Sequence, residues 1–88
     1  MKYALVTGGS RGIGKAISVK LATQGIPVLV NYLKNQEAAQ AVVDEINDNG
    51  GHAEMLHFDV SAPQSIEFAL EVWENQHPDD YISILVNN

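Results

Sequence analysis

The sequence predicts an α/β fold built on a parallel sheet, and two observations predict it. Short apolar runs alternate with longer segments of helical periodicity along the 88 residues, and a glycine-rich turn joins the first run to the first helical segment. Runs that are apolar throughout, without polar alternation, suit strands covered by helices on both faces.

Each element has its own local signal. Tyr3–Thr7 is a short apolar run that reaches a glycine cluster, the pattern of a buried strand. Gly12–Gln24 places Ile13, Ala16, Ile17 and Leu21 on one helical face, and Gly25 ends it. Pro27–Tyr32 is a second strand, with proline at its first position, where a missing N–H is tolerated. Asn35 can cap the next helix, and Glu37 in its first turn complements the helix dipole. Its apolar stripe is Ala39, Val42, Val43 and Ile46, closed by Gly50-Gly51. His52–Val60 is a third strand. Ser61 and Gln64 then have capping-box spacing for a helix that buries Ile66, Ala69, Leu70 and Trp73. His77-Pro78-Asp79-Asp80 is a turn, Ile82–Val86 a fourth strand, and Asn87-Asn88 follow. The order β-α-β-α-β-α-β, with right-handed crossovers, predicts a Rossmann-type doubly wound parallel sheet, truncated after its fourth strand.

Composition narrows the function classes. The chain is 45% hydrophobic and 18% charged, within the globular range. It has no cysteine, which excludes disulfides and thiolate metal sites. No window approaches a membrane span, and Met1–Val6 runs into Thr7-Gly8-Gly9 without a signal-peptide pattern. A cytoplasmic protein is therefore expected. The net charge of −6 is unevenly spread: Lys2, Arg11, Lys15, Lys20 and Lys34 precede every acid, and all eleven acids lie from Glu37 onward. Such a split can mark an anion-binding pole or a chance surface cluster. The cations form no run, so nucleic acid is not an expected partner.

The turn Thr7-Gly8-Gly9-Ser10-Arg11-Gly12-Ile13-Gly14 sits where a parallel sheet places a pyrophosphate, at a helix N-terminus with free N–H groups. Gly8 allows a tight turn, while Gly12 and Gly14 allow close approach of backbone to ligand and of helix to strand. Ser10 and Arg11 add side-chain donors. Two rival motifs fail. A Walker A loop would need a hydroxyl where Ala16 stands, and G-x-G-x-x-G would need glycine at Ile17. The spacing is instead G-x-x-x-G-x-G. Residues 1–88 thus read as the N-terminal dinucleotide-binding half of a single domain.

T-G-G-S-R-G-I-G after a first strand resembles the short-chain dehydrogenase/reductase family, and two further motifs agree. Phe58-Asp59-Val60 resembles the family's D-V pair, which implies that Asp59 and Val60 hold the adenine. Ile84-Leu85-Val86-Asn87-Asn88 resembles the start of I-L-V-N-N-A-G, which implies that Asn88 lies beneath the adenosine ribose. Ser83 departs from the Asp usual before that motif. With Val30-Asn31-Tyr32 ending the second strand, the sequence is most similar to bacterial 3-oxoacyl-[acyl-carrier-protein] reductases. The resemblance implies an NADP(H) cofactor, a substrate carried on acyl carrier protein in fatty-acid biosynthesis, and a homotetrameric full-length protein. Ile13, Tyr32 and Lys34 complete the implied cofactor-binding residues. It also implies that the catalytic Ser and Tyr-x-x-x-Lys lie beyond residue 88, so these residues alone are expected to reduce nothing.

An acid that would grip a ribose 2′-hydroxyl is missing: Asn31 stands there, and no acid precedes Glu37. Arg11 and Lys34 are the cations available to a 2′-phosphate. His52 and His57, five apart, should face opposite sides of the sheet, which argues against a shared metal. His77 reads as a surface residue and Trp73 as core. Another ketone or alcohol oxidoreductase, and a non-catalytic nucleotide-binding module, remain open on the same residues.

Overall fold

The computed structural model describes residues 1–88. Its elements are β1 (Lys2–Val6), α1 (Gly12–Thr23), β2 (Val28–Tyr32), α2 (Gln36–Asp48), β3 (Ala53–His57), α3 (Pro63–Gln76) and β4 (Tyr81–Val86). The four strands form one parallel sheet in the order β3-β2-β1-β4. The chain therefore reverses its direction of winding between β1 and β4, where an open α/β sheet leaves a crevice at the strand ends.

Alternate residues of the strands build two cores. On one face Val6, Val28, Val30 and Ala53 meet Ala22 of α1 and Ala39, Val42, Val43 and Ile46 of α2. On the other, Tyr3, Leu5, Leu29 and Phe58 meet Ala69 and Trp73 of α3. The stripe expected for α2 is buried in full, and Asn35 Oδ1 accepts from the Ala38 N–H at 3.0 Å as its cap.

Helix α1 corrects the sequence reading. Its buried residues are Gly14, Ser18 and Ala22, whereas Ile13 is 73% exposed and Ala16 also faces outward. The helix approaches the strands so closely that only small residues fit: Ser18 Oγ bonds the Gly14 carbonyl at 2.9 Å. A Cβ on Gly9 would lie 3.0 Å from that hydroxyl. Ile17 and Leu21 reach the core only at its margin.

Helix α3 also departs from expectation at its start. Ala62, not Ser61, occupies the N-cap and makes no side-chain cap, while Pro63 supplies the first turn. Ser61 is held elsewhere: its N–H and hydroxyl both donate to Asp59 Oδ1, at 2.9 and 2.7 Å. Ala69 and Trp73 are buried as expected, with Ile66 and Leu70 at the edge of the cluster. The third strand is shorter than His52–Val60: after the Phe58 N–H bond to the Tyr32 carbonyl the chain leaves the sheet, and the Asp59 N–H turns to Ser65 Oγ of α3. The register between β1 and β4 shifts so that Tyr3 faces Ile82 and Ala4 faces Ile84. Ser83 is therefore the extra residue of a bulge, exposed to solvent.

A polar cluster closes the sheet where its strands begin. Glu54 Oε2 lies 3.0 Å from both the Tyr3 hydroxyl and His52 Nε2, and Glu54 Oε1 lies 3.1 Å from His77 Nε2. His77 stacks on Trp73 at 4.5 Å and its Nδ1 donates to the Trp73 carbonyl, so it is half-buried and not the free surface residue expected. His52 joins Tyr3 and Glu54, while His57 meets the Leu33 carbonyl, so the two histidines diverge. No group of three ligating side chains could hold a metal ion. Burial alone would raise the Glu54 pKa, but hydrogen bonds from His52 and Tyr3 and the charges of His77 and His52 outweigh it and hold the carboxyl below its ordinary value. Burial, and then the bond to Glu54, pushes the Tyr3 phenol up to about 12. Because the folded carboxyl has the lower pKa, its contribution to stability is full above the unfolded value and is lost as acid protonates it. Glu54→Gln is expected to flatten the acid limb of stability below about pH 4.5. Urea midpoints measured from pH 3 to pH 8 would check this; parallel acid limbs in the two proteins would refute it.

Candidate functional site

The site is built where β1 ends. Gly8 and Gly12 adopt φ of +60° and +61°, values open to glycine, and turn the chain from the strand into α1. Arg11, in extended conformation, is the N-cap of α1 and makes no side-chain cap. The first N–H groups of the helix are thus left for something else to satisfy. Gly14 is required by proximity: a Cβ there would sit 2.7 Å from Asn88 Nδ2 and closer still to the Gly8 carbonyl.

Asn31 holds this turn. It is 3% exposed. Its Oδ1 accepts from the Gly8 N–H at 3.1 Å, and its Nδ2 donates to the Leu56 and Phe58 carbonyls at 3.2 and 3.1 Å. One side-chain amide therefore ties the ends of β1, β2 and β3 together. The sequence reading placed Asn31 where a ribose would be read; its side chain is instead committed to the backbone. From the other side, Asn88 N–H donates to Thr7 Oγ1 at 2.9 Å, and Asn88 Nδ2 donates to the Gly8 carbonyl at 3.3 Å. Thr7 Oγ1 in turn bonds the Val86 carbonyl.

Between these supports lies a cleft of about 450 Å³. Of the residues singled out in the sequence, Gly8, Ser10, Arg11, Asn31, Tyr32, Lys34, Val60 and Asn88 line it. Thr7, Leu33, Asn35 and Phe58 line it as well. Asn35 was legible only as a helix cap, Thr7 only as the first residue of the glycine-rich motif, and Leu33 carried no signal beyond flanking a strand end. Gly12, Ile13, Gly14 and Asp59 are outside the lining. Gly12 and Gly14 shape the turn, Ile13 projects into solvent, and the Asp59 carboxylate is folded onto Ser61. The Ser61 hydrogen bonds, with Lys34 nearby, hold the Asp59 pKa below its usual range. The lining thus contains two cations, Arg11 and Lys34, and no carboxylate. An uncapped helix N-terminus, two cations and a shallow apolar wall formed by Leu33, Phe58 and Val60 suit a phosphate-bearing ligand with a flat ring.

The comparisons agree with this geometry. The family model described as short chain dehydrogenase matches residues 2–88. An uncharacterized oxidoreductase, YgfF, of Escherichia coli (strain K12) is 46% identical over 88 residues, covering 100% of this chain and 35% of that protein. A 3-oxoacyl-[acyl-carrier-protein] reductase of Synechocystis sp. is 42% identical over 87 residues, 99% of this chain and 34% of the enzyme. The crystal structure of the angucycline C-6 ketoreductase LanV with bound NADP superposes with a TM-score of 0.87 at 36% identity, covering 99% of this chain and 35% of that one. The chain spans about a third of the length of these three proteins. No helix is long and apolar enough to cross a membrane. A match running through all four strands and the glycine turn leaves one assignment: the chain belongs to the short-chain dehydrogenase family.

Proposed function

We propose that this chain is the cofactor-holding part of an NADPH-dependent oxidoreductase that reduces a ketone. The observation that carries the reading is the cleft at the end of β1, with Arg11 and Lys34 in its lining and no carboxylate. NADPH would supply the hydride. The glycine turn and the α1 N-terminus would hold the pyrophosphate. Arg11 would present a forked pair of donors to the 2′-phosphate, and Lys34 a point charge. An acid in that place would instead repel the phosphate and favour the bare ribose. The Asn31 amide keeps the turn in shape without contacting the ligand's charge.

Charge-assisted bonds to phosphate contribute about 1.5–3 kcal/mol each, or roughly ten- to a hundredfold in affinity. Arg11→Ala in the full-length polypeptide should weaken NADPH binding by that factor and leave NADH binding within about twofold. Titration of both cofactors against both proteins is the measurement. Equal affinities of the unmodified protein for the two cofactors would overturn the reading, as would an equal loss for both in the variant.

For the substrate we propose a 3-oxoacyl thioester on acyl carrier protein, reduced in the cytoplasm by a homotetramer, on the motif resemblance and the likeness to the Synechocystis enzyme. The likeness to an angucycline ketoreductase favours a second reading, an aromatic polyketide ketone. NADPH consumption with an acetoacetyl thioester against a polycyclic ketone separates the two.

A further inference from the structure

The sheet edge farthest from β4 carries a second groove, unconnected with the cofactor cleft. It has a volume of about 440 Å³ and runs between β3 and α3, with Met55, Leu56, Phe68, Val72 and Trp73 in its lining. Phe68 is 71% exposed and Val72 39%, so α3 turns apolar side chains outward beside an edge strand.

Three observations indicate what would cover it. The first is the strand edge itself. The Val28 N–H bonds the His52 carbonyl, and the Phe58 N–H bonds the Tyr32 carbonyl. By alternation, even-numbered residues of β3 face β2, while Ala53, Met55 and His57 direct their backbone groups outward. Ala53 is already served, since the Asn47 side chain bonds its N–H at 2.9 Å and its carbonyl at 3.3 Å. Met55 and His57 remain as a template for one more strand. Ala53–His57 carries no Lys, Arg or Pro to guard that edge. The second observation is Trp73, 3% exposed, whose Nε1 is the one buried side-chain nitrogen or oxygen without a hydrogen-bond partner. A buried indole donor is costly without an acceptor. The third is charge. No Lys or Arg follows Lys34, Glu54 lines the groove, and Glu71 directly precedes Val72 on α3.

We propose that this groove binds an extended segment of another polypeptide, with apolar residues alternating with Lys or Arg, added to β3 as a further strand. Its backbone would pair with Met55 and His57, and one face would cover Phe68 and Val72. A carbonyl or side-chain oxygen would be available to the Trp73 indole. The acidic surroundings attract the basic residues and disfavour a second copy of the same edge, which would bring two acidic α3 helices together.

The probe is a capped nonapeptide of alternating Lys and Val, tested on the full-length polypeptide. At saturation, hydrogen exchange of the Met55 and His57 amides should slow at least about tenfold, a strand-pairing effect. N-methylation of the peptide amides on one edge preserves its charge and should weaken binding at least about tenfold, as pairing is lost. Phe68→Ser, at an exposed position, should weaken binding while leaving NADPH affinity unchanged. Equal binding of the N-methylated peptide would reduce the effect to charge attraction and overturn the proposal. Absence of protection at Met55 and His57 would overturn it too, and so would edge protection in the free protein that rises with protein concentration.

Discussion

Asn31→Asp is expected to destabilise the fold by about 3–5 kcal/mol, the range for a buried charge left without its partners. The replacement is nearly isosteric, so the effect would be electronic. Where Nδ2 now donates to the Leu56 and Phe58 carbonyls, a carboxylate would place lone pairs against lone pairs. Only the bond from the Gly8 N–H would survive. Because the amide joins three strand ends, the damage should appear at the cofactor cleft as well as in global stability. The amide resonance of Gly8 reports the first, and urea denaturation measures the second. A loss below about 1 kcal/mol would mean that the clamp contributes no more than one ordinary hydrogen bond.

Gly14→Ala is expected to cost about 1–3 kcal/mol, as overpacking does in a close-packed interior. The added methyl would sit against the Gly8 carbonyl and 2.7 Å from Asn88 Nδ2. Neither obstacle is the free end of a flexible chain. The carbonyl is backbone in the glycine turn, and Asn88 Nδ2 is bonded to that same carbonyl. To admit the methyl, α1 must move away from the turn, or the turn must open and lose its hold on a phosphate. The outcome to measure is a combined fall in thermal midpoint and in NADPH affinity. Gly25→Ala makes a useful contrast, since a Cβ there meets nothing within 4 Å and only the φ of +83° opposes it. A Gly14→Ala protein as stable and as tightly binding as its parent would show that the close approach is relieved at little cost.

The two helices of the first core explain how far hydrophobic patterning can be followed. α2 packs at ordinary distance, so large apolar residues line its inner face and the stripe Ala39, Val42, Val43, Ile46 was legible. α1 lies almost against the strand end, so its inner face is Gly14, Ser18 and Ala22, and apolar periodicity points to the wrong side. Ile13 and Ala16 are the consequence. At the start of α3 the competition is local: Asp59 takes the Ser61 hydroxyl that a capping box would use, and Pro63 begins the helix instead. The glycine turn was legible because its spacing is short-range. The role of Asn31 was not, because its partners Gly8, Leu56 and Phe58 lie 23 to 27 residues away in sequence. A lone asparagine in an otherwise apolar strand, where it must find buried partners, is the signal that could have marked it.

The bonds that seat Asn88 on Thr7 and Gly8 span 81 and 80 positions of the chain. On a ribosome adding about 5–20 residues per second, roughly 4–16 s separate the synthesis of Gly8 from that of Asn88. Throughout that interval β1 can pair with β2, but its opposite edge is bare and the turn above it is fastened only through Asn31. The nascent chain would therefore pass through a stage with its first core formed and its nucleotide cleft unfinished. The Thr7 and Gly8 bonds to Asn88 would close only after β4 had docked.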